Sequence, residues 1–219
     1  MDGMLVPPEG EVWYHGSPRR WEKLDFEAPK VAGSWSSYLG LHFAGTRDTA
    51  VRFGNGDLYG QAEAPGQVVQ ARLRAANPCR FETEEALDLH ALWACLQLNL
   101  LDEEAMLGRW GADKEDEMEM FLDKLVELPG WDKVQELHAM LPAGIEPVTL
   151  LYCGDLKHYY TANAVRNDMR RRGHDAIVYE NTLESEGDPE TCAIIWEEGQ
   201  IEVEGIEILV ADPEMLVQD

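Results

Sequence analysis

Positive charge is scarce in this sequence. Among its 219 residues, 18 lysines and arginines stand against 42 aspartates and glutamates, which gives a formal net charge of −24. Nucleic-acid phosphates are held by basic surfaces, so this balance disfavours DNA or RNA as a ligand, although a local basic patch would escape a whole-chain count. The acidic excess is typical of a solvated surface and is compatible with a basic protein partner.

Cysteines and long apolar runs are also few. The chain has four cysteines and no CxxC pair, which argues against a structural zinc site and against a disulfide framework. No uninterrupted apolar run approaches the ~18–20 residues that a bilayer span needs. The first residues, MDGMLVPPEGE, lack the basic and apolar regions of a signal peptide. We therefore expect a cytoplasmic protein without membrane partners.

Enough apolar material remains for a core, because hydrophobic residues make up 45% of the chain. The first third alternates short β-prone runs with loops, and one helix over 46–53 begins at a threonine cap. The last third begins with a helix over 156–172 that ends in three arginines and a glycine. In the first third, the predicted strands are residues 12–14, 39–43 and 67–74. In the last third, they are residues 176–179, 193–196 and 206–210.

Residues 83–140 differ from both flanks. Apolar side chains recur at helical spacing from 87 to 100, and the segment is the most acidic part of the chain. The pattern predicts a helical insertion between two β-rich halves. Since helices and strands are segregated along the chain, we expect the α+β fold class.

The run VWYHGS, residues 12–17, places a histidine and a glycine at the end of a predicted strand. A glycine lets the backbone approach a neighbour closely, because no Cβ stands in the way. A flat ligand that bonds to main-chain groups would need that approach, whereas Gly-Ser-Pro is also ordinary turn chemistry. The local residues leave both interpretations open.

Three further segments follow VWYHGS in order. They are GLHFA at 40–44 with AVRF at 50–53, then VQARLRAANP at 69–78, then GHDAIVYEN at 173–181 with Glu184, AIIW at 193–196 and QI at 200–201. This set resembles the ADP-ribosyltransferase superfamily, in particular the branch of diphtheria toxin and the poly(ADP-ribose) polymerases with their phage and bacterial-toxin relatives. The resemblance covers both ends of the chain and leaves residues 83–155 unmatched.

The resemblance implies one domain over residues 1–219, with a split β-sheet core and a helical insertion at about 83–155. It implies a glycosyltransferase that uses NAD as its substrate, releases nicotinamide and transfers a single ADP-ribose to an acceptor, which we expect to be a protein. A phage or toxin origin would place the protein in the cytoplasm of a host cell.

The same resemblance assigns roles to residues of the first segments. His15 would bond to a ribose hydroxyl of NAD, and the backbone of Gly16, with Ser17 beside it, would hold the nicotinamide amide. Phe53 would stack on the nicotinamide ring. His42, which stands where the family often has tyrosine, would flank that ring. Phe53 keeps the stacking surface of a tyrosine but lacks its polar hydroxyl.

A carboxylate should complete the site, because positive charge develops on the ribose as nicotinamide leaves. In the polymerase-like relatives a glutamate begins the strand that matches residues 193–196, and this chain has Cys192 there. Glu184 fits the acidic position of the phage-type relatives and is the first candidate. Glu207, which precedes an apolar run, is the second, and Glu190 is the third.

Three alternatives remain beside the transferase, and one of them is 2′-phosphate transfer from RNA on the same fold, which the net charge disfavours. The missing acid at position 192 and the acidic helical block are compatible with a non-catalytic acidic binding or inhibitor protein on the same fold. An NAD glycohydrolase would use the same residues without an acceptor. We expect no metal site, because His42 has no partner at ligand spacing.

Overall fold

The computed structural model describes most of the chain. The described residues are 3–8, 10–20, 24, 26, 34–55, 66–127, 137, 139–151, 158–182 and 189–209. They form a mixed α+β fold in two compact units. The first, the sheet unit, comprises Met1–Pro29, Gly40–Arg80 and His174–Asp219, and the second, the helical unit, comprises Lys30–Leu39 and Phe81–Gly173.

The sheet unit is built on one mostly antiparallel sheet of eight strands. Its strands are β1 Met4–Leu5, β2 Trp13–Ser17, β3 Leu41–Ala44, β4 Gln67–Arg74, β5 Pro78–Phe81, β6 Ala176–Asn181, β7 Glu190–Ile195 and β8 Ile201–Ile208. They follow the order β1-β4-β2-β3-β7-β6-β5, and β8 pairs with β4.

Strand β4 has partners on both of its edges. Strand β2 pairs with it from Trp13↔Ala71 to Ser17↔Gln67, and β1 continues the same edge at Leu5↔Leu73. Strand β8 pairs with the same stretch of β4, from residue 67 to residue 73. Because a strand has only two edges, β8 must lie on the edge opposite β2.

The two faces of the sheet pack differently. One face carries the larger apolar cluster, which includes Trp13, Phe43, Leu73, Val178 and Ile195. The other face is covered by helix α1, Arg47–Asn55, whose Ala50 and Val51 pack with Val68, Leu209 and Tyr14. Successive residues of a strand point to opposite faces, so this division follows directly from the alternation of each strand.

Helices make up most of the helical unit. They are α2 Glu84–Gln97, α3 Glu103–Trp110, α4 Glu115–Glu127, α5 Pro147–Leu151 and α6 His158–Arg171. Side-chain caps begin two of them: Thr83 accepts from the Ala86 amide at 3.1 Å, and Asp102 accepts from the Ala105 amide at 2.9 Å. Within the described part of the chain, no helix combines the length and apolarity needed to cross a membrane.

A buried carboxylate, that of Asp168, links α2 to α6 within this unit. Asp168 accepts from Arg171 at 2.8 Å and from Arg172 at 2.9 Å, and Nε2 of His90 lies 3.5 Å from it. The Arg172 guanidinium lies 5.0 Å from the centre of the Trp93 ring, which also stacks on His90. The basic end of α6 therefore does more than face the helix dipole, since two of its arginines neutralise a buried carboxylate.

Several predictions from the sequence need correction. Strand β2 continues through His15 and Gly16 to Ser17, so the chain bends only after the strand and Gly16 is not a turn residue. All eight strands belong to one sheet, in which β2 and β3 share a single register pair. Strand β8 begins at Ile201 rather than at 206, and β5 was not predicted. The helical unit ends at Gly173.

Candidate functional site

Strands β2 and β3 separate where the VWYHGS motif lies. Tyr14↔Ala44 is the single register pair that joins these two described strands. The amide of Gly45 donates to the Thr191 carbonyl in β7, so alternate residues of β3, including His42 and Ala44, direct their peptide groups towards β2. By the same alternation, the N–H and C=O of Gly16 point from β2 towards β3, into the space between the strands.

His15 bridges this opening with its side chain. The ring Nδ1 lies 2.6 Å from the carbonyl oxygen of His42. A carbonyl can only accept, so Nδ1 carries the proton and Nε2 is an acceptor in the neutral ring. The ring lies 5.5 Å from the Phe43 ring between centroids, and 9% of the residue is exposed. His15 therefore has a fixed orientation at the edge of the core.

Gly16 lies directly beneath helix α1. A Cβ at this position would overlap the carbonyl oxygen of Ala50 and would come within 2.8 Å of the Cβ of Phe53. The glycine is thus needed for the close packing of the helix on the strand. The same packing brings Phe53 close to Gly16.

His42 lies on the same face as Gly16, one strand further along. Its Nδ1 is 3.3 Å from the hydroxyl of Tyr179 in β6, and the two rings meet edge to face at 6.3 Å. The hydroxyl restricts the orientation of the His42 ring. Tyr179 stands within the quoted segment GHDAIVYEN but had no assigned role, because a contact between strands so far apart in sequence leaves no local pattern.

Ser17 has a local structural role. Its side chain is buried, and Oγ accepts a hydrogen bond of 3.2 Å from the backbone amide of Arg19. This bond shapes the bend that follows β2. The hydroxyl lies two residues after His15 along the strand, so both side chains point to the same face of the sheet.

Glu207 lies on a different face from His15. It pairs with Val68, which pairs in turn with Gly16, so its side chain shares the face of Gly16. Both of its oxygens accept from Arg47 at the start of α1, with Nε at 2.9 Å. This hydrogen bond lowers the pKa of Glu207 and raises that of Arg47. The structure does not bring Glu207 together with the His15 ring.

Glu190 caps helix α1 from strand β7. Its Oε1 accepts from the backbone amide of Thr46 at 2.6 Å, and its Oε2 accepts from the hydroxyl of Thr49. A helix often provides this carboxylate itself, three residues after the cap, but Thr49 occupies that position here. Glu190 thus acts as a capping-box glutamate from another strand.

Cys192 and Glu184 are the two remaining positions that the search for a catalytic carboxylate concerned. Cys192, which stands where an acid was sought, is buried in β7 and pairs with Ala44 and Tyr179. Glu184 lies outside the described residues. Among the described residues no group of three histidine, cysteine, aspartate or glutamate side chains is placed to hold a metal ion.

The fold and this opening define an α+β protein with a largely antiparallel eight-stranded sheet. Comparison with known proteins finds no matching family model, no similar curated protein and no similar solved structure.

Proposed function

We propose that this chain is an NAD-dependent mono-ADP-ribosyltransferase that binds NAD at the opening between β2 and β3. The observation that carries the proposal is the separation of these strands after Tyr14↔Ala44. It leaves the peptide edge of Gly16 directed into the opening, with the His15 ring on one face and Phe53 on the other.

The chemistry of these groups suits a nicotinamide riboside. A primary carboxamide presents a donor and an acceptor side by side, and the N–H and C=O of Gly16 offer the complementary pair. In the tautomer that donates to the His42 carbonyl, Nε2 of His15 is an acceptor that suits a ribose hydroxyl, and this buried atom would be reached after its neighbours move. Phe53 and His42 supply ring surfaces on which a planar heterocycle stacks.

Glu184 remains the first candidate for the carboxylate that stabilises positive charge on the ribose. The two other candidates hold helix α1: Glu190 caps it, and Glu207 pairs with Arg47 at its first turn. We therefore expect Glu184→Gln to abolish transfer while the urea midpoint of unfolding stays unchanged. Glu190→Ala should also lower stability, because it removes the cap of α1. Glu207→Gln should change stability little, because its pair with Arg47 is exposed.

The decisive experiment uses NAD labelled in its adenylate group, with a cell lysate as the source of acceptors. Nicotinamide release and label transfer should both occur with the wild type and fall at least a hundredfold in His15→Ala. His174→Ala is the matched control, because that imidazole also lies with Nδ1 near a backbone carbonyl, that of Asn77 at 3.1 Å. The proposal would be refuted if the wild type released no nicotinamide and transferred no label under any condition.

A second candidate function is NAD binding with hydrolysis or without turnover. It is favoured by Cys192 at the expected acidic position and by the helix-holding contacts of Glu190 and Glu207. Nicotinamide release without label transfer would identify a glycohydrolase. Calorimetric NAD binding without nicotinamide release would identify a binding protein.

A further inference from the structure

Strand β8, Ile201–Ile208, lies at an edge of the sheet. It pairs with β4, and no other described strand pairs with it. Its outer edge therefore presents backbone N–H and C=O groups that can accept another strand. Proteins often protect such an edge with charged residues, especially lysine, with proline or with a bulge. The sequence IEVEGIEI has no lysine or proline, but it carries three glutamates, and its pairing with β4 is irregular between Gln70 and Ala71, so an acidic strand is disfavoured there more than a basic one.

One face of β8 carries exposed branched apolar side chains. Val203, Ile206 and Ile208 are 47%, 46% and 45% exposed. Val203 pairs with Ala71 and Ile206 with Val69, both of which are fully buried. The exposed side chains thus continue the apolar face of the sheet outward past its last buried strand.

The other face of β8 is acidic. Glu202 lies 2.7 Å from Arg74, Glu204 lies 3.4 Å from Arg72, and Glu207 pairs with Arg47. Arg72 and Arg74 belong to β4, on the inner edge of β8, so they approach the first two glutamates from that side. Such exposed pairs are weak, and a cation on the outer edge can share the carboxylates.

From these observations we infer that β8 is the docking edge for an extended segment of a basic partner protein. The segment adds as a ninth strand, with valine or isoleucine on the face of Ile206 and lysine or arginine on the face of Glu202. Main-chain hydrogen bonds supply affinity in this mode of recognition, and alternate side chains supply specificity. The partner is basic because the chain carries a net charge of −24.

A second copy of this chain is a poorer occupant of the edge. Pairing β8 with itself would set glutamates against glutamates on one face, and like charges directly opposite are destabilising. Two copies would also repel each other through their net charge. The docking edge does not depend on NAD chemistry, so it can be tested separately from the proposed transferase.

The test measures fluorescence anisotropy with a labelled nine-residue peptide that alternates lysine and valine. We expect saturable binding to the full chain. A peptide of the same sequence with two adjacent central amides methylated loses one central hydrogen-bond donor from each edge, and the methyl groups hinder close approach there, so it should bind at least tenfold more weakly. The double variant Val203→Thr, Ile206→Thr keeps the charge and the β-branched shape, and it should also lose at least tenfold.

The matched control is the double variant Met120→Gln, Val126→Gln. Both of these residues are 49% exposed on α4, in the helical unit, and their replacement should leave the binding constant within twofold. Circular dichroism confirms that each variant is folded. Equal binding of the methylated peptide, equal loss in the control variant, or no saturable binding would overturn the inference. So would a concentration-dependent dimer that the β8 variant abolishes.

Discussion

Asp88 should make the stability of the helical unit depend on pH. The residue lies in α2 with only 6% exposed, and Oδ1 accepts a hydrogen bond of 2.8 Å from Nε1 of Trp35. Burial raises the pKa of this carboxyl to about 8. The Trp35 hydrogen bond opposes the rise, and the charges of Glu84, Glu85 and Glu146 add to it.

The direction in which stability changes with pH follows from the number of protons that the folded and unfolded states bind. An aspartate in an unfolded chain has a pKa near ~3.9, so between about pH 4 and about pH 8 the folded state holds a proton that the unfolded state has released. The contribution of Asp88 to stability is complete below about pH 4 and is lost as the pH rises through about 8. About four pKa units at roughly 1.4 kcal/mol each set an upper limit of about 5–6 kcal/mol.

The substitution Asp88→Asn isolates this effect. Asparagine keeps an oxygen for the Trp35 hydrogen bond and cannot ionise, so the variant should be more stable than the wild type by about 2–5 kcal/mol near pH 8. Near pH 4 the two proteins should differ by less than about 1 kcal/mol, because both side chains are then neutral.

Urea denaturation followed by far-ultraviolet circular dichroism gives the free energies of unfolding at each pH. Many other carboxylates titrate in the same range, so the useful quantity is the difference between variant and wild type. Asp123→Asn is the matched control, because Asp123 is exposed on α4 and its replacement removes the same charge. Parallel stability curves for the wild type and Asp88→Asn from about pH 4 to about pH 8 would refute the reasoning.

Further predictions concern helix α1 and a matched glycine. Gly16→Ala should lower the free energy of unfolding by more than about 2 kcal/mol, since the new Cβ would overlap the backbone of α1. Gly108→Ala in α3, where no atom lies within 4 Å, should instead stabilise by about 0.5–1 kcal/mol. Glu190→Ala should cost about 1–2 kcal/mol through loss of the cap, and Glu190→Gln should recover much of it. Urea denaturation measures all of these, and equal effects of the two glycine variants would contradict the packing argument.

Local patterns were sufficient to predict the α+β class and most of the strands, because the alternation of apolar and polar side chains is visible in consecutive residues. They were not sufficient for strand limits. Strand β8 begins at Ile201 because β4 pairs with it as far as Leu73, and such pairing depends on a partner more than a hundred residues away. The extent of β2 through Gly16 depends on β4 in the same way.

In the candidate site, too, local patterns predicted some features and missed those that depend on distant parts of the chain. The sequence indicated that Gly16 permits a close approach, and its Cβ side indeed faces a near neighbour, the backbone of α1. That neighbour could not be identified from VWYHGS alone. The complete cap of α1 could not be predicted either. Thr46 indicates the start of the helix, but the capping carboxylate belongs to Glu190, which lies 144 residues further along the chain. The nicotinamide contact of Gly16 stays a prediction.

The anchoring of Asp175 bears on the order in which the chain folds. Its two carboxylate oxygens accept from the amides of Ala76 and Asn77 at 2.6 and 2.9 Å, and Gln200 donates to its carbonyl at 2.9 Å. The turn after β4 is therefore completed by residues made long after it. During synthesis, Phe81–Gly173 leaves the ribosome before the strands that close the sheet. The helical unit can therefore pack first. The sheet that contains β2, β3 and β4 is completed only after β6, β7 and β8 have been synthesised.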